Sequence, residues 1–312
     1  MRCSALSLGA TGENFSYMEK GDWSATLAYR WLNSDRHFVG DNEQKQRQSE
    51  ESDVRNDVHT FDLTATYQAH QRVSLSLTLP FVHASRSSLY EHDRTNRHTM
   101  KAGGLGDVRL VANAWIFDPD TATNGNVALG LGVKFPTGGY KETDIRYRTA
   151  TNGGAQLGYV DNSIQPGDGG WGILLEAQTF YKVYDRTFLY ANGTYLVQPE
   201  EMNSIGNSIW DSYIARLGVT YAVWPEKNLA LSVGGRIEGV PPRDLIGGDA
   251  GARRPGYAIS VEPGVTWTYK KATVNLSTPV ALYRNRQNNF AGRPGDAAFA
   301  DFIVLSSVTY RF

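Results

Sequence analysis

Residues 61–79 read FDLTATYQAHQRVSLSLTL. Phe61, Leu63, Ala65 and Tyr67 alternate with Asp62, Thr64, Thr66 and Gln68. Val73, Leu75, Leu77 and Leu79 alternate with Ser74, Ser76 and Thr78. A period of two marks a β-strand, because successive side chains point to opposite faces. Only residues 69–72 separate the two runs, so they pair as a hairpin. The same pattern recurs in Val127–Phe135, Tyr213–Val223, Leu229–Ile237 and Tyr257–Tyr269.

Extended along the chain, the alternation predicts twelve strands, at 22–32, 57–69, 72–86, 104–117, 125–137, 170–184, 186–198, 208–224, 227–240, 256–269, 272–285 and 299–312. No helical period of convincing length competes with them, and no domain boundary interrupts them. The links after even-numbered strands are short, and those after odd-numbered strands are mostly long and polar. The stretches 41–57 and 138–169 belong to the long kind. Short turns on one rim, long loops on the other and an even strand count are the layout of an outer-membrane barrel. The expected fold is therefore all-β, a transmembrane antiparallel up-and-down β-barrel of 12 strands spanning 22–312, in the bacterial outer membrane. Residues 1–21 are expected to form an N-terminal periplasmic tail or a lumenal plug, with Phe15 and Tyr17 docking inside.

Composition alone suggests something different. The chain has 312 residues, with 31 Lys+Arg against 32 Asp+Glu, a single Cys, 12% aromatic residues and 20% charged residues. Its mean hydropathy is −0.40. The balanced charge argues against a nucleic-acid partner. One Cys excludes a disulfide framework, and Cys3 reads as a free thiol. No apolar stretch reaches the ~18 residues of a membrane helix. No signal-peptide pattern is read in Met1–Gly12. The polar average follows from strands that are polar on one face and from long loops.

The two strand faces differ in kind. One carries Leu, Val, Ile, Tyr and Trp, and the other carries Ser, Thr, Gly, Asn and charges. Twelve strands leave an interior too wide to fill easily with aliphatic side chains. The apolar face is therefore expected to meet lipid, and the polar face to line a hydrated channel. The expected lining residues are Asp107, Arg109, Lys134, Glu176, Arg216, Arg236, Glu238, Glu262 and Arg311. These charges nearly balance, which predicts weak ion selectivity. Aromatic residues near strand ends, such as Trp23, Tyr67, Tyr181, Trp224 and Tyr269, fit interfacial girdles. The chain ends on Val308, Tyr310 and Phe312, which share one face. That ending is similar to the terminal strand of bacterial outer-membrane proteins, which the barrel-assembly machinery recognises. Pro80, Pro263 and Pro279 fall inside predicted strands. Pro80 is expected near the outer rim, and the other two at bulges.

Four spaced motifs lie in the middle of the chain: Leu79-Pro80-Phe81, Gly104-Leu105-Gly106-Asp107, Lys134-Phe135-Pro136-Thr137-Gly138 and Gln165-Pro166-Gly167-Asp168-Gly169-Gly170. In order and spacing they resemble the outer-membrane family labelled MetA-pathway of phenol degradation, or simply "transporter". The resemblance covers residues 60–312 and is densest over 79–180. It implies passage of aromatic or other hydrophobic compounds. The residues themselves place Asp107 inward beside Arg109. They also let the loop after Gly138 fold over or into the pore.

All six His residues fall between positions 37 and 98: His37, His59, His70, His83, His92 and His98. None has metal-ligand spacing, so no metal, cofactor or catalytic site is expected, and the chain is read as no enzyme. The expected function is an outer-membrane channel or transporter for passive passage of small solutes, aromatic or hydrophobic ones included. Its expected partners are outer-membrane lipid and lipopolysaccharide, the barrel-assembly machinery and a small-molecule solute. Two alternatives stand beside it: a barrel hydrolase using an outer-rim His, and a structural or adhesin-like barrel acting through its outer loops.

Overall fold

The structure is a computed structural model that describes residues 17–148 and 153–312. Twelve wall strands run up and down in chain order. They are β1 (Trp23–Val39), β2 (Arg55–His70), β3 (Val73–Ser88), β4 (His98–Leu105 and Arg109–Trp115), β5 (Gly125–Lys134) and β6 (Gly172–Tyr184), followed by β7 (Thr187–Val197), β8 (Ser212–Trp224), β9 (Leu229–Val240), β10 (Gly256–Tyr269), β11 (Ala272–Ser277 and Val280–Asn285) and β12 (Ala297–Arg311). Neighbours in sequence pair antiparallel, and β12 pairs with β1 from Ser24↔Arg311 to Phe38↔Ala297, so the sheet closes. Closure pairs the backbone groups that hydrocarbon could not satisfy. The chain leaves the wall where it began, with the Phe312 amide donating to the Trp23 carbonyl at 2.9 Å.

The two faces are as the alternation predicts. Leu131 is 62% exposed and Leu217 65% exposed, each in mid-strand. Their inward neighbours Ala128, Lys134, Thr220 and Arg236 are buried. Polar-in and apolar-out is inverted relative to a water-soluble barrel and suits a lipid exterior. At the short-turn rim, Trp23 packs on Tyr67 at 4.7 Å between ring centroids, and the Lys227 ammonium lies 3.7 Å over the Trp224 ring. The girdle thus combines an amphipathic ring with a cation facing water.

The observed strands correct several predicted boundaries. β1 runs on to Val39 rather than stopping at 32, and β4 starts at His98 rather than 104. Both extensions lie at the long-loop end of the barrel, where the alternation in the sequence weakens. Pro80 sits in the middle of β3, opposite Asp62, not near its rim. Its carbonyl accepts from the Gly106 amide at 2.7 Å, where β4 is interrupted over 106–108. Pro263 involves no bulge against β9, since the register there is continuous through Val233↔Pro263. Instead β11 breaks at Thr278–Pro279, and the Pro263 carbonyl accepts from the Thr278 amide at 3.1 Å. Donor and acceptor of one residue point to the same side of a strand. The proline nitrogens therefore face ladders that are already broken, and no donor is lost.

Candidate functional site: the lumenal cavity and a gap in the wall

Charged residues two apart on one strand, or opposite each other on neighbouring strands, meet on the same face of a sheet. That geometry builds the floor of the lumen. Arg216 and Arg236 are register partners. The two like charges are held together by Glu262, 2.6 Å from Arg216 and 3.5 Å from Arg236. Glu238 accepts from Arg236 at 2.5 Å and lies 3.8 Å from Arg30 across the barrel. Ser277 donates to Glu262 at 2.8 Å. On the facing wall Arg109 reaches Asp62 at 3.1 Å. A buried ion is tolerable only when paired and hydrogen-bonded, and here the pairs cross from strand to strand.

A second feature joins the four sequence motifs. Lys134 Nζ lies 2.5 Å from Asp168 and 3.3 Å from Asp107. Asp107 also accepts from the backbone amides of Gly138 at 2.9 Å and Asp168 at 3.2 Å. Thr137 donates its hydroxyl to the Gly106 carbonyl at 3.0 Å and accepts from the Val108 amide at 2.9 Å. The interruption in β4 thus turns the Asp107 carboxylate inward as an acceptor. That carboxylate ties the end of β5 to the returning loop.

The loop between β5 and β6 consequently folds into the barrel mouth. Ile164 is fully buried against Ala84, Met100, Ala102 and Val160. Asp161 pairs with Arg254 at 2.6 Å and Arg86 at 3.7 Å, linking two loops to the upper part of β3. Burial pushes the Asp161 carboxyl up, but Arg254 and Arg86 outweigh it and hold it well below the usual carboxylate range. Beneath this cover lies a cavity of about 500 Å³. That is the size of a small-molecule pocket. Val58, Val82, Leu174, Leu196, Phe299 and Ile303 supply apolar walls, and the ion pairs supply the rest.

The wall beside this cavity has a gap. Above Val280↔Phe302, the upper half of β11 makes no ladder with β12. It stays bound to β10, and its top reaches over β12 to β1, where Arg286 and Gly40 exchange backbone hydrogen bonds of 2.7 and 3.0 Å. Between these two points arginine side chains replace the ladder. Arg284 Nε donates to the Ala300 carbonyl at 3.2 Å, and Arg286 Nη2 to the Ala298 carbonyl at 3.3 Å. Both lips of the gap, Pro279 and Ala281 on one side and 297–303 on the other, line the cavity.

Of the residues expected in the lining, Asp107, Arg109, Lys134, Arg216 and Glu238 border the cavity. Arg236 and Glu262 are buried at its floor. Glu176 shares the inward face of β6, opposite Gly130 and Thr194. Arg311 stands opposite Ser24 at the short-turn end, apart from the others. Sequence reasoning missed Arg30, Asp62, Asp168 and the gap residues Arg284 and Arg286. Arg30 and Asp62 lay in plain alternation on the inward face. Arg286 lies just past the predicted end of its strand. Val308, Tyr310 and Phe312 project outward together, each more than 45% exposed, with the Tyr310 and Phe312 rings 5.2 Å apart.

The histidines do not gather in one place. His37 is buried between Asp296 at 2.9 Å and the Val54 amide at 2.8 Å. His59 faces outward, between Tyr29 at 2.8 Å and Asp57 at 2.7 Å, with His83 beside it. His92 lies in the second outer loop and His98 at the start of β4, their rings 5.1 Å apart. Of the segment expected to dock in the lumen, Phe15 lies outside the described residues. Tyr17 donates to the Ala122 carbonyl at 2.9 Å and accepts from Asn126 at 3.1 Å, its ring against Trp115 and Phe180.

Fold and lumen define a closed twelve-stranded antiparallel barrel of the outer-membrane type, with a loop-covered cavity opening toward a gap in its wall. The chain is similar to the crystal structure of an outer membrane channel from Pseudomonas putida F1, with a TM-score of 0.62 and 14% identity over 96% of this chain and 98% of that one. It is also similar to the β domain of a Bordetella autotransporter, with a TM-score of 0.51 and 12% identity over 94% of this chain and 100% of that one. These likenesses concern the fold. No family model matches the chain, and no curated protein matches it.

Proposed function

We propose that the protein is an outer-membrane channel that lets small, largely apolar solutes cross passively, aromatic ones included. The observation that carries this is the continuity of the cavity with the gap between β11 and β12. A solute too apolar for water has a route from the cavity to the hydrocarbon without crossing the ion-paired floor. The loops over the mouth and the charged floor oppose a wide water-filled pore. The paired charges Asp107, Arg109, Lys134, Arg216, Arg236, Glu238 and Glu262, together with Glu176 and Arg311, line the lumen with little net charge, which gives weak ion selectivity. The four motifs joined at Asp107 support membership of the MetA-pathway phenol-degradation family, and the P. putida channel supports the reading at the level of fold. No catalytic step is assigned to the chain. Its surroundings are lipid below the outer girdle and lipopolysaccharide above it. Val308, Tyr310 and Phe312 are the signal read by the assembly machinery, so deletion of Phe312 should slow insertion.

The test is flux of toluene into vesicles whose outer leaflet is lipopolysaccharide, with and without the barrel. The barrel should accelerate the flux, and a cysteine pair that crosslinks β11 to β12 across the gap should remove the acceleration. Equal flux in all three vesicle preparations would overturn the proposal.

A further inference from the structure

Arg286 differs from every other cation lining the cavity. Each of the other seven Lys and Arg residues there has a carboxylate oxygen within 3.8 Å among the described residues. Arg286 has none. Its residue is only 8% exposed. Its hydrogen bonds go to neutral carbonyls: Nη1 to Arg254 at 2.7 Å and Pro255 at 3.4 Å, and Nη2 to Ala298 at 3.3 Å. Its Nε has no hydrogen-bond partner. The nearby Asp296 is already engaged by Arg47 and His37. A buried guanidinium without a counter-ion is costly and is uncommon unless something else completes it.

We infer that the cavity is a binding site for a small monocarboxylate with an apolar or aromatic body, whose carboxylate pairs with Arg286 at the gap. Two observations define the ligand. One unpaired cation matches one negative charge, and a planar guanidinium whose Nε–H is free suits a carboxylate. The surfaces around it accept a hydrocarbon body. The guanidinium lies 4.0 Å over the Phe299 ring, and Ala281, Ala298 and Ala300 leave the lips of the gap small and apolar. The inference rests on the channel reading and gives its solute a chemical class. Binding also loosens the wall. A carboxylate on Arg286 competes with the Ala298 carbonyl for the same N–H groups, so occupancy weakens a bridge that spans the gap.

The test is isothermal titration of the full chain in detergent with benzoate and with benzamide, which share a ring and differ in charge. Benzoate should bind about tenfold tighter or more, as a charge-assisted hydrogen bond requires. Arg286→Gln keeps N–H donors for the carbonyls and removes the charge. It should bring benzoate to the level of benzamide and leave benzamide unchanged. Arg284→Gln, at the other bridging arginine, which pairs with Asp301 at 2.5 Å, should leave the preference intact. Equal binding of the two probes by the native chain overturns the inference without needing any variant. So does an Arg286→Gln protein that keeps the preference. A barrel that passes toluene but ignores the charge of the probe defeats this inference alone. A barrel that binds neither probe and passes nothing defeats the channel reading with it.

Discussion

Gly138 and Gly167 cross with no room for a side chain on either. A methyl group on one would stand 2.6 Å from the Cα of the other. Neither glycine has the positive φ that would require it for conformational reasons. The close approach lets the Asp107 carboxylate bind the amides of both Gly138 and Asp168. Gly167→Ala should therefore push the inward loop off Asp107 and destabilise the barrel by about 1–3 kcal/mol. Gly235→Ala, at a position with open space for a methyl, serves as the control. Unfolding midpoints in urea decide the matter, and equal midpoints would separate the motif from the fold.

Lys134 carries the charge at this crossing. Lys134→Met leaves the buried Asp107 and the half-buried Asp168 without their cation, and the cost of such a loss is ~3–5 kcal/mol. The double variant Lys134→Met with Asp168→Asn should recover part of it, because one uncompensated charge goes. Non-additive unfolding energies in a double-mutant cycle are the expected result.

Much of this was readable in the sequence, and the reason is physical. Alternation is enforced wherever one face meets hydrocarbon and the other meets ion pairs. Ala65, Leu63 and Phe61 therefore marked β2 unambiguously, and the twelve strands followed. Toward the long-loop rim the alternation fades, so the upper ends of β1 and β4 are not legible in the sequence. The inward parity identified Arg109, Lys134 and Arg216, but a one-dimensional pattern does not say which charges meet. Asp168, sixty-one positions after Asp107, joins the site only through the inward fold of a loop. The two strand interruptions were signalled by Pro80, Pro263 and Pro279. Each lies on or opposite a break, which a rim position for Pro80 and bulges at Pro263 and Pro279 do not capture.

The lipid-facing assignment has its own test. Leu131 points outward in the middle of β5. Leu131→Arg should cost about 2–4 kcal/mol in bilayers, since a cation near the midplane is desolvated. A harmless substitution, measured by reversible unfolding in lipid vesicles, would put that face in water.

The outer loops should respond to acid through His92. This side chain is buried, and its Nδ1 accepts from the Tyr147 amide at 3.1 Å. The His98 ring stacks on Tyr147 at 4.2 Å and lies 5.1 Å from the His92 ring. Burial, then His98 and Arg146, push the His92 pKa below its usual 6.5, against the opposing pull of Glu91 and Asp93. A lowered pKa means that the folded loop favours the neutral ring. Its contribution is intact above pH ~6.5 and is lost as pH falls through the lowered value. An imidazolium cannot accept from Tyr147, so the hairpin of Thr143–Arg146 and Gln156–Tyr159 should undock in acid. Hydrogen exchange at the Tyr147 amide should quicken below that pH, and His92→Gln should abolish the pH dependence. Unchanged protection down to pH 4 would contradict this.

Single-channel recording in planar bilayers distinguishes a barrel that conducts solutes from one that catalyses a reaction or serves only as a scaffold. The ion-paired floor and the covered mouth predict small, discrete conductance steps with weak preference between cations and anions. Electrical silence, together with lipid or peptide hydrolysis that His59→Ala or His83→Ala abolishes, would contradict conduction and make the protein an outer-membrane hydrolase.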